Sequence, residues 1–391
     1  MTNSGNENDG QSRRQRLRIL APTRYPWRFN GPRRSAHEVT NRAFVPFNYL
    51  SAKAEGVTVF NPLPPRRFDL IHAFNRLPIG RTPYLIGFES HLPRAFGLER
   101  SCYYRTLIHS LSSDRCRGIF AISEHARNIF LRTARHLPQF PELEAKLSVR
   151  YPNLSIETDQ VDLLDPGSED LPVRLVFVGS HFARKGGCVA VRLAEISEMQ
   201  KFPLSIDIIS DLRMGGGIWT DPAREGYFSD WQERLMNRSN VTVYPGLPNT
   251  EVLNLLKQAH FSLLPTFCDT FGYSALESMA NYTPVIATAQ GALPEFIKDR
   301  VNGILLPLDT NPEGEWIHSG GPGRDTLAFE KLFTSEIERL AQLAFSAIVQ
   351  TVADPLAFAG MRQAARKTVC AQFDADDANA FWDRTYESLA D

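Results

Sequence analysis

Phe261 to Phe296 reads FSLLPTFCDTFGYSALESMANYTPVIATAQGALPEF. An apolar run ends at Pro265, polar turn residues and Gly272 follow, and apolar positions then recur at Ala275, Leu276, Met279 and Ala280 before Pro284 and a second apolar run, Val285 to Ala287. That order is strand, loop, helix, strand. The loop feeds the amino end of the helix, where backbone N–H groups lacking intrahelical partners and the helix dipole favour an anion. A phosphate suits that position.

Two carboxylates bracket the turn, Asp269 in the loop and Glu277 one helical turn in. In a chain with 44 Asp and Glu the spacing alone means little; its placement astride a strand-to-helix glycine carries the signal. One acid then meets the group beyond the phosphate and the other the group before it. A nucleoside diphosphate sugar has that order, ribose on one side and hexose on the other, and ionised carboxylates supply several lone pairs each for sugar hydroxyls. Ser274-Ala-Leu-Glu277 also fits a capping box, in which Glu277 only closes the helix start, and Asp269 also reads as an ordinary loop acid.

The segment resembles the signature of retaining GT-B glycosyltransferases of the family 4 type, the glycosyl transferases group 1. Their pattern is Glu, seven residues, Glu, with F-G in the middle, then an alanine-rich helix, P-V-I and a stretch from Gly to Glu. Here it reads Asp269, Phe271-Gly272, Glu277-Ser-Met-Ala280, Pro284-Val-Ile286, Gly291-Ala-Leu-Pro-Glu295 and Asn302-Gly303. Asp269 stands where the family usually has Glu, which shortens the reach by about 1.5 Å, one carbon–carbon bond. The resemblance implies an α/β chain of two doubly wound Rossmann-like domains facing a cleft, with a C-terminal helix crossing back to the first domain. It also implies transfer of a hexose from a UDP- or GDP-sugar to a hydroxyl of a glycan or lipid-linked acceptor, with retention and without a metal, as in glycan, glycolipid or cell-surface polysaccharide synthesis. Asp269 with the amides of Thr270, Phe271 and Gly272 would hold the donor sugar, the amides of Tyr273 and Ser274 the diphosphate, and Glu277 the ribose.

The rest of the chain extends the likeness. Residues 1–16 read as a disordered tail, 17–153 as an acceptor-side domain, 154–171 as an acidic linker with Pro166-Gly167, 172–370 as a nucleotide-sugar domain, and 371–391 as the returning helix. In the second domain Arg174 to Ser180 is a buried strand, and Arg184-Lys185-Gly186-Gly187 lies between it and a helix from about Cys188 to Met199. The family supplies a Lys before Gly there, and usually an Arg just after the strand, where this chain has Ser180. Arg184 and Lys185 are the expected phosphate clamp, with a basic surface turn as the alternative. The base is expected near Pro245 to Leu247 through backbone groups. Met214 to Gly217 lacks the spacing of a dinucleotide fingerprint and reads as a turn.

The likeness is weakest at the amino end. A strand at Leu17 to Leu20 leads to a loop, Ala21 to Ser35, where the family carries a glycine pair; only Gly31, followed by Arg33 and Arg34, resembles it on the acceptor side. A helix is expected over Ala36 to Asn48. Short strands follow at Val57 to Phe60, Phe68 to His72 and Tyr84 to Phe88. The last ends at Glu89, where the family often places a His; His91 is two residues on, and either is a candidate acid or base for the acceptor hydroxyl. Gly118 to Ser123 reads as a strand followed by a helix capped by Ser123. Ser335 to Leu389 reads as successive helices, and Asp374-Ala-Asp376 as a helix cap, not a metal motif.

Composition sets outer bounds. With 391 residues, 43% hydrophobic and 22% charged, the chain is long enough for two globular domains. It shows no uninterrupted apolar run of membrane-spanning length. The start lacks the apolar centre of a secretory signal, and five scattered cysteines without C-x-x-C spacing suit neither zinc nor a disulfide framework, so a cytoplasmic setting is expected. Residues 1–150 carry 24 Lys and Arg against 11 Asp and Glu, and the remainder 19 against 33. That basic half suits a peripheral contact with an anionic membrane surface, at the inner face, or solvated surface charge; nucleic acid is not expected. A non-catalytic sugar-nucleotide or glycan-binding protein on the same fold is the alternative to the enzyme.

Overall fold

Apolar runs with no polar alternation are what strands buried on both faces look like, and parallel sheets covered by helices are built from such strands. The computed structural model describes residues 16–23, 25–49, 54–156 and 171–390. Residues 1–15 of the expected tail and 157–170 of the expected linker lie outside the described residues.

The first half contains β1 (Arg18–Pro22), α1 (Tyr25–Asn30), β2 (Glu38–Arg42), β3 (Phe44–Pro46), β4 (Val57–Phe60), β5 (Leu70–Phe74), β6 (Leu77–Pro78), β7 (Tyr84–Phe88), α2 (Cys102–Ser112), β8 (Cys116–Ala121), α3 (Glu124–Ala134), α4 (Phe140–Ala145) and β9 (Leu147–Val149). Six of these strands form a parallel sheet in the order β2-β1-β5-β7-β8-β9, and β3, β4 and β6 form a small separate sheet. The second half contains β10 (Val173–Val178), α5 (Gly187–Met199), β11 (Leu204–Ile209), α6 (Tyr227–Met236), β12 (Val241–Tyr244), α7 (Asn249–Lys257), β13 (Phe261–Leu264), α8 (Tyr273–Ala280), β14 (Val285–Thr288), α9 (Leu293–Phe296) and β15 (Gly303–Leu306). Its parallel sheet runs β12-β11-β10-β13-β14-β15. Three helices close the chain, α10 (Leu327–Val352), α11 (Pro355–Gln372) and α12 (Ala375–Ala390).

Burial follows position in the sheet. Every residue of β7, β13 and β14 is buried, whereas the edge strands β2, β9 and β12 are mostly half-exposed. Ala378, Trp382 and Tyr386 of α12 pack on Ile19, Leu70, Leu85 and Phe120 of the first sheet, and the buried His72 Nδ1 lies 2.8 Å from the Tyr386 hydroxyl. The last helix therefore returns to the first domain. A third apolar cluster joins the halves, with Phe29, Ile122 and Leu154 against Phe271, Leu276, Phe296 and Phe373. Glu295 adds a polar tie: its carboxylate accepts from the backbone N–H of Glu124 and His125, at the start of α3, and from the Tyr151 hydroxyl.

The expected helix over Ala36 to Asn48 is not formed. Glu38 to Arg42 pairs in register with all five residues of β1 instead, and Phe44 to Pro46 pairs with β4. Val39, Thr40 and Val45 are β-branched, and Pro46 lacks the N–H a helix interior needs. Edge pairing also satisfies the backbone of β1, which a helix would leave open. Asp374 does cap α12, accepting from the N–H of Asp376 and Asp377. No single helix among the described residues is long and apolar enough to cross a membrane; α10 and α11 reach that composition only as a pair bent by 109°.

Candidate functional site

The second sheet reverses its order between β10 and β13, with β11 and β12 on one side and β14 and β15 on the other. Loops leaving two such strands diverge, and the crevice outside their carboxyl ends is where open α/β sheets bind ligands. The loop after β10 carries Arg184 and Lys185, and the loop after β13 carries Asp269 and Thr270. Each loop ends on a glycine in the left-handed region, Gly186 at φ +93° and Gly272 at φ +89°. A Cβ would lie 2.3 Å from the Pro265 carbonyl oxygen at the first and 2.6 Å from Leu293 Cδ2 at the second. Glycine is therefore required at both turns. Neither α5 nor α8 has a side-chain cap; the first amide of α5, that of Gly187, is taken by the Phe182 carbonyl at 2.7 Å.

The two loops are bound to each other. Lys185 Nζ forms an ion pair with Asp269 Oδ2. Arg184 donates to the Cys268 carbonyl at 3.0 Å, lies 2.9 Å from His181 Nδ1 through its other terminal nitrogen, and stacks over Trp219 at 5.1 Å. Burial pushes the Asp269 carboxyl up, but the Lys185 and Arg184 charges, the Lys185 hydrogen bond and the Phe271 amide together outweigh it and hold it below the usual carboxylate range. Burial, with Arg184, Arg213 and Lys185 nearby, holds His181 below the usual histidine value, which leaves a neutral ring as hydrogen-bond acceptor for Arg184.

Glu277 does not close a capping box: Gly272, not a serine, is the N-cap of α8, and Glu277 Oε1 accepts from Asn249 Nδ2 at 3.1 Å. Burial raises its pKa, offset in part by Asn249 and by the charge of Arg33 across the domain boundary. Beside it is a cavity of about 340 Å³ whose walls include Arg28, Phe29, Arg33, Asn249, Leu253 and Arg366. The first domain reaches the start of α8 through α1. Phe29 stacks on Tyr273 with ring centroids 4.4 Å apart, and Asn30 Nδ2 donates to the Tyr273 hydroxyl at 3.0 Å.

The expected donor residues thus gather at one crevice, Arg184, Lys185, Asp269 and Thr270 on its facing loops and Phe271, Gly272, Tyr273, Ser274 and Glu277 along α8. Leu247 packs against a small core of Val176, Ile209, Val252 and Leu256 at the neighbouring strand end. The acceptor-side residues separate. Gly31 lies under the Trp27 ring, which a Cβ would approach to 2.5 Å; Arg33 donates to Asn153 and faces Glu277; the Arg34 amide bonds Asn379 of α12. Glu89 binds Asn75 and Arg94. His91 packs on Phe96 at 5.4 Å. Burial lowers its pKa, against the pull of Glu313 and Glu315 of the second domain.

Three residues that sequence reasoning passed over lie at the crevice. The hydroxyl of Ser180 donates to Asp211 Oδ2 at 2.6 Å, and Arg213, whose amide donates to the Ser180 carbonyl at 3.2 Å, pairs with the same carboxylate at 3.5 Å. A guanidinium is so returned to the neighbourhood where Ser180 replaces Arg. Its position in the loop leaving β11 was the available signal. Gln290, 2% exposed, accepts the Asp269 amide through Oε1 at 3.2 Å while its Nε2 is buried without a hydrogen-bond partner; nothing in the local sequence marks it. Asn249 is the first residue of α7, after the N-cap Pro248, and donates to Glu277 on α8.

Residues 166–313 match the family Glycosyl transferases group 1. D-inositol 3-phosphate glycosyltransferase of Mycolicibacterium smegmatis is 34% identical over 216 residues, 52% of this chain and 46% of that protein. The Thermobifida fusca protein of the same name is 26% identical over 211 residues, 49% of this chain and 46% of that protein. The chain therefore spans about half the length of these curated relatives. The crystal structure of Anabaena HepE in complex with UDP aligns over 96% of this chain and all of its own, at a TM-score of 0.59 and 15% identity, a likeness of fold. With the paired sheets and the returning helix, the chain has the GT-B fold, and its residues 166–313 match the glycosyl transferases group 1.

Proposed function

We propose that this chain is a retaining glycosyltransferase that moves a hexose from a UDP- or GDP-sugar to a hydroxyl acceptor without a metal ion, in the synthesis of a glycan, glycolipid or cell-surface polysaccharide. The observation that carries the reading is the Lys185–Asp269 pair at the switch point of the second sheet, set between two glycine-started helices. Arg184, Lys185 and the amides of Tyr273 and Ser274 stabilise charge developing on the leaving diphosphate, a role for fixed donors in a site that excludes water. Asp269 and the amides of Thr270 to Gly272 hold the donor sugar's hydroxyls, and Glu277 with Asn249 holds the ribose in the 340 Å³ cavity. Retention follows from front-side attack assisted by the leaving phosphate, so no carboxylate nucleophile is required. His91 or Glu89 takes the acceptor proton, and the lowered pKa of His91 keeps its ring neutral and able to do so. Anabaena HepE was solved with UDP and with UDP-glucose, which supports a uridine nucleotide. The relatives named for D-inositol 3-phosphate support a hydroxyl acceptor.

The test is a thermal-shift and turnover series with UDP, GDP and their sugars. A bound nucleotide at 100 times its dissociation constant stabilises by about 2.7 kcal/mol, and Glu277→Ala is expected to weaken binding at least tenfold. Wild-type donor hydrolysis and transfer in Glu277→Ala would remove the donor-site assignment. Ser180 in place of the family's usual Arg, with the nearby Arg213 guanidinium tied to Asp211, favours a second reading: a sugar-nucleotide or glycan-binding protein without turnover. Tight UDP binding with no transfer across donor and acceptor panels selects it. The basic first half supports contact with an anionic membrane at the cytoplasmic face; co-sedimentation with anionic vesicles should then vanish at high salt.

A further inference from the structure

The first sheet has a switch point of its own. Its order reverses between β1 and β5, and the chain leaving those two strand ends supplies Trp27 from α1 and Asn75 and Arg76 from the turn after β5. With Pro22, Phe74, Glu89 and Arg94 they border a cavity of about 210 Å³. We propose that this cavity binds one neutral hexose or polyol ring, the acceptor of the transfer. The word acceptor rests on the function proposed above; the ring and its neutrality rest on the cavity alone.

Charge argues for neutrality. Arg76 and Arg94 both line the cavity, but each donates to Glu55, at 3.1 and 3.0 Å, and Arg94 also donates to Glu89 at 3.0 Å. Two guanidinium groups are balanced by two carboxylates, and a phosphate would have to displace one of them from a half-buried pair. A hydroxyl needs no such exchange, since it both donates and accepts. The unused bonding capacity matches it. Glu89 Oε1 takes both Asn75 Nδ2, at 2.9 Å, and Arg94, while Glu89 Oε2 has no hydrogen-bond partner among the described residues. A free carboxylate oxygen beside a paired one is what a hydroxyl of a neutral ring satisfies.

Shape argues for a single ring. Trp27, Phe44 and Phe74 give the cavity aromatic walls beside its polar groups, as in sites that seat a ring by its apolar face. Its 210 Å³ falls below the roughly 300–1,000 Å³ of sites for drug-sized ligands. Glu89 is itself an acid-base candidate of the proposed reaction, and α1 joins the two sites: Trp27 lines this cavity, and two residues on Phe29 stacks on Tyr273 at the start of α8.

Saturation-transfer NMR on the full chain at saturating UDP, with methyl glucoside, galactoside and mannoside and the corresponding hexose 6-phosphates, tests the proposal. At least one methyl hexoside should show saturation transfer, its phosphate should bind no more tightly, and Trp27→Ala or Glu89→Gln should weaken the hexoside at least tenfold while leaving UDP affinity within twofold. Hexose phosphates binding tenfold more tightly than hexosides, or no hexoside signal up to the solubility limit, overturns it. The wild-type comparison decides the matter if Trp27→Ala fails to fold. Hexoside binding without UDP binding would refute the transferase reading and leave the ring site standing; UDP binding without hexoside binding would do the reverse.

Discussion

Replacing Lys185 by Met isolates what the ion pair at the crevice contributes. The Asp269 side chain is 8% exposed and that of Lys185 18%, so the substitution strands a carboxylate in a site with little water. Breaking one partner of a buried pair costs about 3–5 kcal/mol. Arg184, whose charge also acts on Asp269, holds the loss to about 3 kcal/mol, a shift of about 1 M or more in the urea midpoint at an m value of roughly 1–3 kcal/mol/M. Adding Asp269→Asn removes the stranded charge, and the double variant should recover at least about 1 kcal/mol of that loss. The pH dependence should change sign. In the wild type the folded pKa of Asp269 lies below its unfolded value, so this stability is present above the unfolded pKa and is lost as pH falls through the folded one. In Lys185→Met burial prevails, the folded pKa rises above the unfolded one, and stability grows as pH is lowered from 7 toward 5. Urea titrations of the three proteins at pH 7, pH 5 and about pH 3 measure both effects, since the wild-type loss falls below the unfolded pKa of about 3.9. A Lys185→Met loss under about 1 kcal/mol, or a double variant as unstable as the single, would show that the pair carries no such coupling.

Three further outcomes follow from the same structure. Gly272→Ala meets Leu293 Cδ2 at 2.6 Å and holds φ +89°, so it should cost about 1–3 kcal/mol in thermal or urea unfolding and weaken UDP binding. His72, fully buried, has its pKa lowered to about 3; the folded state then binds fewer protons than the unfolded one, and stability should fall as pH drops from about 6.5 toward 3, by about 1.4 kcal/mol per unit at most, as read by melting at successive pH values. Glu295→Ala frees two amides at the start of α3 and the Tyr151 hydroxyl; it should destabilise by about 1–3 kcal/mol and enlarge the radius of gyration measured by X-ray scattering, and an unchanged radius would show that Glu295 does not hold the halves together.

The two strand–loop–helix turns of the candidate site were legible because their parts are local. A strand, a glycine turn and a helix start lie within a dozen residues on either side of Gly272, and the same is true around Gly186, so periodicity and turn chemistry put Asp269 and Lys185 in loops; the resemblance, not the local pattern, set those loops at one site. Their pairing depends on the reversal of strand order, which appears only when β10 and β13 lie side by side. The amino end was read less well. Its elements are short, and Glu38 to Arg42 is a strand only because β1 offers it an edge; local preference does not decide that. The acceptor-side residues scattered for a related reason. Arg33, Arg34 and Gly31 are adjacent in the chain, but one irregular turn points them at the Glu277 cavity, at α12 and at Trp27. The cavity beside Glu89 draws on β1, α1, β3, β4, β5 and the turns after β5 and β7, and no single stretch contains its pattern.

The returning helix has a consequence for how the molecule is made. The first sheet is complete in hydrogen bonding once β9 has left the ribosome, yet Ile19, Leu70, Leu85 and Phe120 still lack Trp382 and Tyr386, which are synthesised after the whole second domain. Translation at about 5–20 residues per second leaves that apolar face uncovered for on the order of ten seconds or more. The early half must therefore wait, partly assembled, for the final helix to finish it, and during nascent-chain synthesis this face is where chaperones would be expected to bind.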